Sequence, residues 1–481
     1  MKLSDFEAVI GLEVHVELKT ATKIFCSCPT DFGAEPNTRC CPICMGLPGA
    51  MPTLNRRAVE LAVMAGLALH GTVLPLCRTD RKQYFYPDLP KAYQISQAGV
   101  PICRNGYLTI ATPDGDRDIG ITRIHIEEDA AKLIHADGRT LVDYNRSGVP
   151  LIEIVSEPQL RSGKEAADYL RNLRSILVSC GITDGKMQEG SLRCDVNVSV
   201  RPLGSAKLGV RTEIKNLNSF AFTEKAIEYE VRRQCELICR GEAVRMETRR
   251  YDAASGKTVL MRTKERAEDY RFMTEPDLPP IFLSEEEIET LGNALPELPE
   301  ARAARLSKTY GLPEGDARIL CEDALLADYF ESAADVCAYP RLAANLLLSE
   351  LLRYCESEPF SSPVSARRLS VLAELMGEGT VNSSTAKKLL LRLCEGDFDP
   401  RETVEREGLA QILDTELLTR AIMETLAENP RAVADYKNGK TAAMRSLQGR
   451  VMARTAGRAE PVLTEHLLKQ ILEEYEVEPH V

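Results

Sequence analysis

Residues 9–18 read VIGLEVHVEL and form the clearest strand pattern in the chain. Five apolar side chains recur at every second position: Ile10, Leu12, Val14, Val16 and Leu18. Successive side chains of a strand point to opposite faces, so this period of two predicts a strand with one apolar and one polar face. The polar face carries Glu13, His15 and Glu17.

The strand-rich pattern continues to about residue 291. Short alternating segments, separated by Gly, Pro, Asp and Asn turns, predict further strands at 119–127, 151–155 and 194–201. Helical patterns interrupt them at 56–69 and 164–178. We therefore predict an α+β fold whose N-terminal, sheet-based domain occupies residues 1–293.

The composition changes after Pro296 and Pro299, which indicate a linker. The next hundred residues are rich in Ala and Leu at helical spacing, and residues 397–400 indicate a second joint. We predict an all-α helical domain at 294–404 and a small helical tail domain at 405–481. Three domains also agree with a length of 481 residues at about 150 residues per domain.

Charge and cysteine content narrow the class of protein. A net charge of −12 excludes a globally basic nucleic-acid coat, so any RNA contact requires a local patch. Residues 1–7 carry mixed charges and no run of about 18 apolar residues occurs, so we expect no signal peptide, no membrane contact and a cytoplasmic location. In that setting the 15 cysteines indicate reduced thiols and one metal cluster, not a disulfide framework.

Acidic residues in strand contexts suggest a metal site. Glu13 and His15 form a plausible metal face, although a solvated sheet face is the alternative. Glu153 lies inside an apolar run, where a carboxylate must be paired, protonated or metal-bound. Converging carboxylates suit a Mg²⁺–nucleotide site, and the histidine leaves Mn²⁺ as a further candidate. Strand parity places Glu127 on the polar face with His125.

Two Gly-Lys-Thr segments, at 256–258 and 439–441, resemble the end of a P-loop. The glycine that this motif requires five residues earlier is Tyr251 in one and Ala434 in the other. Neither is a Walker A motif, so any use of ATP must proceed without a P-loop.

Two cysteine pairs have metal-ligand spacing. Cys26-x-Cys28 and Cys41-x-x-Cys44 are separated by 12 residues, and four thiolates suit a tetrahedral structural Zn²⁺. An unmetallated reduced cluster is the alternative. Cys40 is an extra thiol to which the pattern assigns no role.

A basic stretch lies near the C-terminus. Residues 431–458 contain seven basic residues and one acid. Arg450, Arg454 and Arg458 are spaced by four, which predicts one shared helical face. In an acidic chain this is a candidate RNA-backbone patch, with a solvated helix face as the alternative.

Five segments carry a resemblance to a known family. They are VIGLEVHVELKT from Val9, DRKQYFYPDLPKAYQISQ from Asp80, LIEIVSEP from Leu151, EGSLRCDVNVS from Glu189 and EIKNLNSF from Glu213. Together they resemble the signature segments of the B-subunit family of bacterial aspartyl/glutamyl-tRNA amidotransferases. The likeness extends over nearly the whole chain.

The resemblance implies a fold and a reaction. The N-terminal domain would be a cradle similar to the glutamine synthetase catalytic fold. The family amidates misacylated Glu-tRNA(Gln), and often Asp-tRNA(Asn); both substrates stay open for this chain. ATP phosphorylates the side-chain carboxylate, and ammonia then displaces phosphate. The amidase (A) subunit supplies the ammonia, and the small (C) subunit braces the pair in a heterotrimer.

The resemblance also assigns roles to residues. The metal positions correspond to Glu13, His15, Glu153 and one of two neighbours: strand parity favours Glu127, motif alignment favours Glu128, and both are retained. Candidates for steadying phosphates or the tRNA end are Arg81, Lys82, Tyr86, Arg193 and Lys215, with surface ion pairing as the alternative. Family members with this cysteine pattern bind Zn²⁺ at Cys26, Cys28, Cys41 and Cys44, and the family's tail domain contacts tRNA.

Two rival classes remain. A non-catalytic, zinc-containing tRNA-binding protein would lack ATP-dependent activity, and a self-sufficient ligase of the glutamine synthetase type would need neither tRNA nor an amidase. The chain has no Gly-Gly-Ser-Ser run of the amidase kind. No Cys–His glutaminase signature is apparent either. Ammonia must therefore come from elsewhere, which agrees with an obligate partner.

Overall fold

The computed structural model describes residues 3–263, 270–355 and 360–475. The chain divides into two compact units, Met1–Pro299 and Glu300–Val481. The strands of the first unit are β1 Phe6–Glu17, β2 Thr72–Val73, β3 Leu76–Cys77, β4 Asp80–Gln83, β5 Tyr93–Ser96, β6 Cys103–Thr112, β7 Gly115–Glu128, β8 Lys132–Ala136, β9 Arg139–Asp143, β10 Pro150–Ser156, β11 Leu192–Pro202, β12 Thr212–Leu217, β13 Glu247–Asp252, β14 Lys257–Thr263, β15 Met273–Thr274 and β16 Ile281–Phe282. Its α-helices are α1 Arg56–Ala68, α2 Gly163–Ser179, α3 Phe220–Cys239 and α4 Glu285–Asn293, after a short 3₁₀ helix at Leu3–Asp5.

Nine strands form one large mixed sheet in the order β14-β13-β12-β11-β1-β10-β7-β6-β2. Neighbours are antiparallel except β12 and β13, which are parallel. The first strand of the chain is thus the central strand of the sheet. The predicted strands at 9–18, 119–127, 151–155 and 194–201 are confirmed, as are both predicted helices.

The two faces of β1 differ as its sequence pattern predicts. Ile10, Leu12, Val14 and Val16 are buried in a hydrophobic core with residues of α1, α2 and α3. These helices cover the apolar face, which accounts for the short-period alternation of the strand. The side chains of Glu13, His15 and Glu17 belong to the opposite face and are only part-buried.

Strand register brings polar residues of distant segments side by side. His15 on β1 lies opposite Glu153 on β10, and Glu153 lies opposite His125 on β7. On the other side of β1, Glu13 lies opposite Asp195 on β11. Directly opposed side chains in antiparallel strands lie about 5 Å apart, so the pairing alone assembles a polar cluster at mid-sheet.

In its described residues the second unit consists of helices and connecting loops, with an isolated β-bridge between Ile412 and Ala459. Its helices are α5 Pro299–Tyr310, α6 Glu314–Leu320, α7 Ala324–Ala334, α8 Pro340–Ser349, α9 Ala366–Gly377, α10 Ser383–Glu395, α11 Pro400–Arg406, α12 Thr415–Glu428, α13 Pro430–Lys437, α14 Thr441–Arg454 and α15 Pro461–Glu474, with a 3₁₀ helix at Leu351–Tyr354. It holds two hydrophobic clusters, one from Ala303 to Val404 and one from Ile422 to Leu472. The predicted domain boundaries at 293/294 and 404/405 stay predictions. In the described part of the chain, no helix has the length and apolar character that crossing a membrane requires.

The prediction that three arginines of the tail share one helical face is wrong for Arg458. Helix α14 ends at Arg454, and the next turn takes positive φ at Ala456 (54°) and Gly457 (79°), which reverses the chain. Arg458 therefore lies beyond the helix, where its guanidinium donates to the Gly408 carbonyl at 2.5 Å. A spacing of four places residues on one face only while the helix continues.

Candidate functional site

The polar face of the central strands carries a histidine–carboxylate cluster. His15 Nε2 lies 3.5 Å from Glu127 Oε1 and 3.4 Å from Glu153 Oε2. His125 Nε2 lies 3.5 Å from the same Glu153 oxygen. Glu127 and Glu153 are almost fully buried, whereas the His15 side chain keeps 23% of its surface exposed. The cluster is therefore buried beneath a single accessible imidazole.

Its electrostatics favour a cation between the carboxylates. Burial disfavours the charged form of His15, but the hydrogen bond with Glu153 and the charge of Glu127 together raise its pKa to about 9. Burial likewise raises the pKa of Glu153, but the hydrogen bonds from His125 and His15 outweigh it and hold that pKa well below its usual range. The buried Glu153 carboxylate is thus held ionised by positive charge, which is also what a metal ion supplies.

The donor set fits a divalent cation. His15, Glu127 and Glu153 each offer one ligand atom within 4.8 Å of the others. Opposite ligands of Mg²⁺ lie about 4.2 Å apart and adjacent ones about 3 Å, so the distances of 3.4 and 3.5 Å lie in the range that the ion spans. Carboxylate oxygens suit Mg²⁺, and the imidazole also suits Mn²⁺.

A second acidic group adjoins the first. Glu13, Asp195 and Glu213, from three neighbouring strands, again offer ligand atoms within 4.8 Å of one another. Asn197 donates to Glu13 at 2.8 Å, and the Lys215 ammonium contacts both Asp195 and, at 3.2 Å, Glu213. Glu13 therefore belongs to this second group and not to the group formed by His15, Glu127 and Glu153.

Sequence reasoning did not single out Asp195, Glu213 or His125 as site residues. A signal was present for Asp195, because the segment CDVNVSVR at 194–201 alternates and places Asp195 and Asn197 on the polar face. The partner strand was the missing information, since only the β1–β11 register places Asp195 beside Glu13.

The geometry distinguishes the two adjacent glutamates. Glu127 faces His15, whereas Glu128 points to the opposite side of β7 and contacts the Lys91 ammonium at 2.6 Å and the Ile95 N–H at 2.9 Å. Successive strand residues alternate in direction, so both cannot reach one ion from the same face. The structure brings Glu127 into the cluster and leaves Glu128, which motif alignment favoured, outside it.

A cavity of about 360 Å³ opens beside this cluster. His15, Glu127 and Asp195 line it together with three of the predicted basic residues: Lys82, Arg193 and Lys215. Two of these cations already have carboxylate partners, Arg193 with Asp129 at 2.6 Å and Lys215 with Asp195. The cavity thus combines carboxylates that could hold a cation with cations able to meet phosphate oxygens.

The other two predicted binding residues lie elsewhere. Arg81 donates to the buried Glu275 carboxylate at 2.7 and 2.9 Å and to Asp277 at 3.1 Å, so its guanidinium is held by protein groups. Tyr86 follows strand β4 and is 59% exposed. Neither is among the residues, within the described ranges, that line the cavity. Strand alternation explains why Lys82 faces the cavity and Arg81 does not.

Four cysteines converge as their spacing predicts. Cys26, Cys28, Cys41 and Cys44 offer sulfur atoms within 4.8 Å of one another. The Cys41 and Cys44 sulfurs are 4.0 Å apart, near the roughly 3.8 Å that two thiolates of a tetrahedral zinc site require. A hydrogen bond from Cys26 lowers the pKa of Cys44 to about 4, which provides a thiolate at neutral pH. These residues fit Zn²⁺.

Two neighbours define the surroundings of this four-cysteine group. The fully buried Lys23 places its ammonium 3.6 Å from Cys44 Sγ and 3.2 Å from the Tyr144 carbonyl oxygen. Cys40 lies outside the group, where its thiol donates to the Asn37 carbonyl at 3.2 Å. Cys40 is therefore not one of the four converging thiols.

Comparison with known proteins gives full-length matches. The family profile described as "GatB/GatE catalytic domain" matches residues 8–289, and the profile described as "GatB domain" matches residues 328–472. The chain is 48% identical over 477 residues to the aspartyl/glutamyl-tRNA(Asn/Gln) amidotransferase B subunit of Caldicellulosiruptor saccharolyticus, with 98% of this chain and 99% of the relative covered. The B subunits of the same name from Moorella thermoacetica and Thermoanaerobacter pseudethanolicus are 49% and 50% identical, each over 97% of this chain and over 100% and 99% of their own lengths.

The glutamate assignment can be tested with Mn²⁺ as a spectroscopic probe. Glu127→Gln should weaken Mn²⁺ binding about tenfold or more, because it removes a charged ligand from a buried site. Glu128→Gln is the matched control and should leave the affinity near that of the parent. Electron paramagnetic resonance titration of free Mn²⁺ measures both. Equal weakening by the two changes would contradict the assignment.

The thiol cluster makes a separate prediction. The purified protein should carry about one Zn²⁺ per chain, lost on Cys41→Ser or Cys44→Ser but kept in Cys40→Ser. Loss of the ion should lower the melting temperature, since a structural site contributes its binding free energy to folding. Elemental analysis and thermal melts measure the two effects. Zinc at parental levels in Cys44→Ser would show that the ion is bound elsewhere, and a parent protein without zinc would contradict the assignment.

Proposed function

The chain belongs to the GatB family of aspartyl/glutamyl-tRNA amidotransferase B subunits, as its motifs predicted, and on that basis we propose that it amidates misacylated Glu-tRNA(Gln), Asp-tRNA(Asn) or both at the cluster around His15. The observation that carries the proposal is that His15 and Glu127, which form one possible metal site with Glu153, line a cavity together with three cationic side chains. We further propose that this unit shares the catalytic fold of glutamine synthetase.

The chemistry requires an activated carboxylate. Unmodified, a carboxylate is a poor acylating agent, because its leaving group would be oxide. ATP would transfer its terminal phosphoryl group to the side-chain carboxylate of the aminoacyl-tRNA, which gives an acyl phosphate and ADP. Ammonia then attacks the carbonyl carbon and the bond to the phosphate oxygen breaks, so that the side chain becomes an amide and inorganic phosphate leaves with one proton from the ammonia.

The chain's own residues would position charge for these steps. Phosphoryl transfer depends mainly on alignment and on neutralising negative charge. A Mg²⁺ ion bound by His15, Glu127 and Glu153 would supply positive charge to phosphate oxygens. Lys82, Arg193 and Lys215 line the same cavity and would meet the remaining phosphate charge. Their carboxylate partners hold two of them in place before substrate arrives.

The proposed reaction needs further chains. The relatives are named as B subunits, which implies an assembly of several chains. We propose an amidase partner that releases ammonia from glutamine and a small third chain that braces the pair. The four-cysteine group would hold Zn²⁺ in a structural role, because its thiols lie outside the cavity that carries the carboxylates.

We propose that the tail contacts tRNA through exposed arginines of residues 431–458. Arg450 on α14 is exposed and has no ion pair within the part of the chain that the structure describes. Arg454 instead pairs with Glu424 at 2.9 Å and with Glu428, and Arg458 donates to Gly408. Arg450 is therefore the member of the trio best placed to meet a phosphate.

Activity should depend on Glu153. Glu153→Gln in the assembled complex should lower ATP-dependent amide formation by about 10² or more, because it removes the carboxylate shared by His15 and His125 with little change in shape. Glutamine hydrolysis by the partner and tRNA binding should stay near parental values. Single-turnover amidation of misacylated tRNA measures the effect. Parental turnover in this variant would remove Glu153 from the active site.

The tail should contribute salt-dependent affinity. Arg450→Ala should weaken tRNA binding and lower the slope of log affinity against log salt by about 0.9, the value for one phosphate contact. The exposed Arg367→Ala on α9 is a control that removes the same charge outside the basic stretch. Filter binding between low and physiological salt measures both. Parental affinity and slope in Arg450→Ala would identify a solvated helix face.

A further inference from the structure

Two segments of the first unit bring an unusual set of aromatic rings together. Strand β4 and residues 84–86 run beside residues 270–274: β15 pairs with β4, and the Gln83 N–H donates to the Tyr270 carbonyl at 3.0 Å. Tyr84 packs edge-on against Tyr270 with ring centroids 5.9 Å apart, and Tyr270 packs against Phe272 at 6.0 Å. Phe85 follows Tyr84 directly in the chain. We call these four rings, Tyr84, Phe85, Tyr270 and Phe272, the ring ladder.

Cations are interleaved with the ring ladder. The Lys82 ammonium lies 4.8 Å from the Tyr270 ring centroid and 5.7 Å from that of Tyr84. The Arg271 guanidinium lies 5.9 Å from the ring centroid of Phe85. Aromatic faces alternating with cations are the composition of surfaces that bind single-stranded nucleic acid, in which rings stack on bases and cations meet phosphates.

One end of the ring ladder belongs to the cavity. Lys82 and Tyr84 line the same 360 Å³ cavity as His15 and Glu127. Burial, together with the nearby charges of Asp88 and Glu127, raises the pKa of the Tyr84 hydroxyl, in agreement with a position close to the carboxylates.

The other end is open to solvent. Phe85 is 74% exposed and Phe272 is 48% exposed. Large apolar rings on neighbouring segments, left in water next to a functional cavity, indicate a surface that a ligand covers. The rings thus lead from the carboxylate cluster to the surface.

We propose that the ring ladder is a stacking track for the single-stranded 3′ end of the tRNA, with Phe85 and Phe272 each accepting a base. The proposal rests on the proposed function, because the amino acid attached to that end must reach the cluster around His15. The protein as a whole is acidic and therefore repels the phosphates of a nucleotide chain. Lys82 and Arg271 place positive charge beside the rings, so the track is a place where such a chain can bind.

The exposure of the outer rings argues for a polymer over ATP. A mononucleotide bound at the cluster would be confined to the cavity, whereas Phe85 and Phe272 are exposed to solvent and are not among the described residues that line it. Stacking on aromatic rings is tolerant of base identity, so the track recognises the end of any acceptor tRNA and adds affinity without selecting among tRNAs.

The test compares tRNA with and without its four 3′-terminal nucleotides, bound to the assembled complex. Phe85→Ala and Phe272→Ala, singly and combined, remove the stacking faces, and Phe85→Tyr and Phe272→Tyr restore them. The matched control is Phe282→Ala, a ring of the same unit that is 73% exposed outside the ladder. The Michaelis constants for misacylated tRNA and for ATP are measured in the same variants.

We expect the combined alanine variant to bind full-length tRNA about tenfold or more weakly, as loss of base stacking requires, and truncated tRNA with parental affinity. Both tyrosine variants and Phe282→Ala should behave as the parent does. Equal weakening for both tRNAs would overturn the proposal, as would a rise confined to the Michaelis constant for ATP. Failure of the parent complex to amidate misacylated tRNA would refute the proposed function instead, while the binding comparison would still decide the role of the rings.

Discussion

The register of the central strand is the constraint on which the first unit depends. Strand β1 pairs on both sides, and one of its faces is sealed by helices, so every second side chain must be apolar. A slip of one residue would exchange the two faces, placing Glu13, His15 and Glu17 in the core and the aliphatic residues in the cavity. The burial of the aliphatic residues therefore fixes where the polar cluster lies. Neither the cluster nor the core could be assembled in another register.

Charge at this site is partly compensated before any ligand is present. Lys215 contacts Asp195 and Glu213, Arg193 contacts Asp129, and His15 lies between two carboxylates. Such pairs hold their members in place, so a substrate meets groups that need little reorganisation. A triphosphate and its metal ion would exchange partners with these pairs instead of inserting charge into an uncompensated pocket. Binding would then redistribute charge within a network whose carboxylates outnumber its cations, which is the balance that a metal ion completes.

Local pattern predicted the elements well, and contacts between distant segments poorly. Alternation along β1 was enough to predict its two faces, and parity along β7 was enough to favour Glu127 over Glu128. Whether Arg81 was available depended on Glu275, which lies 194 positions away and captures the guanidinium. The prediction for Arg458 was wrong for a local reason. The helix ends before two residues with positive φ, and a spacing of four does not reveal that end. The placement of Asp195 beside Glu13 needed strand order, which no single segment specifies.

The central position of the first strand has a consequence for synthesis on the ribosome. β1 ends at Glu17, but its two partners end at Ser156 and Pro202, so 185 residues separate the end of β1 from the end of β11. At about 5–20 residues per second, the strand waits roughly 10–40 s for its second neighbour. Both edges of this aliphatic segment are unpaired until β10 has been made, and one edge stays unpaired until β11 has been made. Glu13 and Glu17, which lie on the polar face of this strand, interrupt the aliphatic segment and disfavour its self-association before the site has formed.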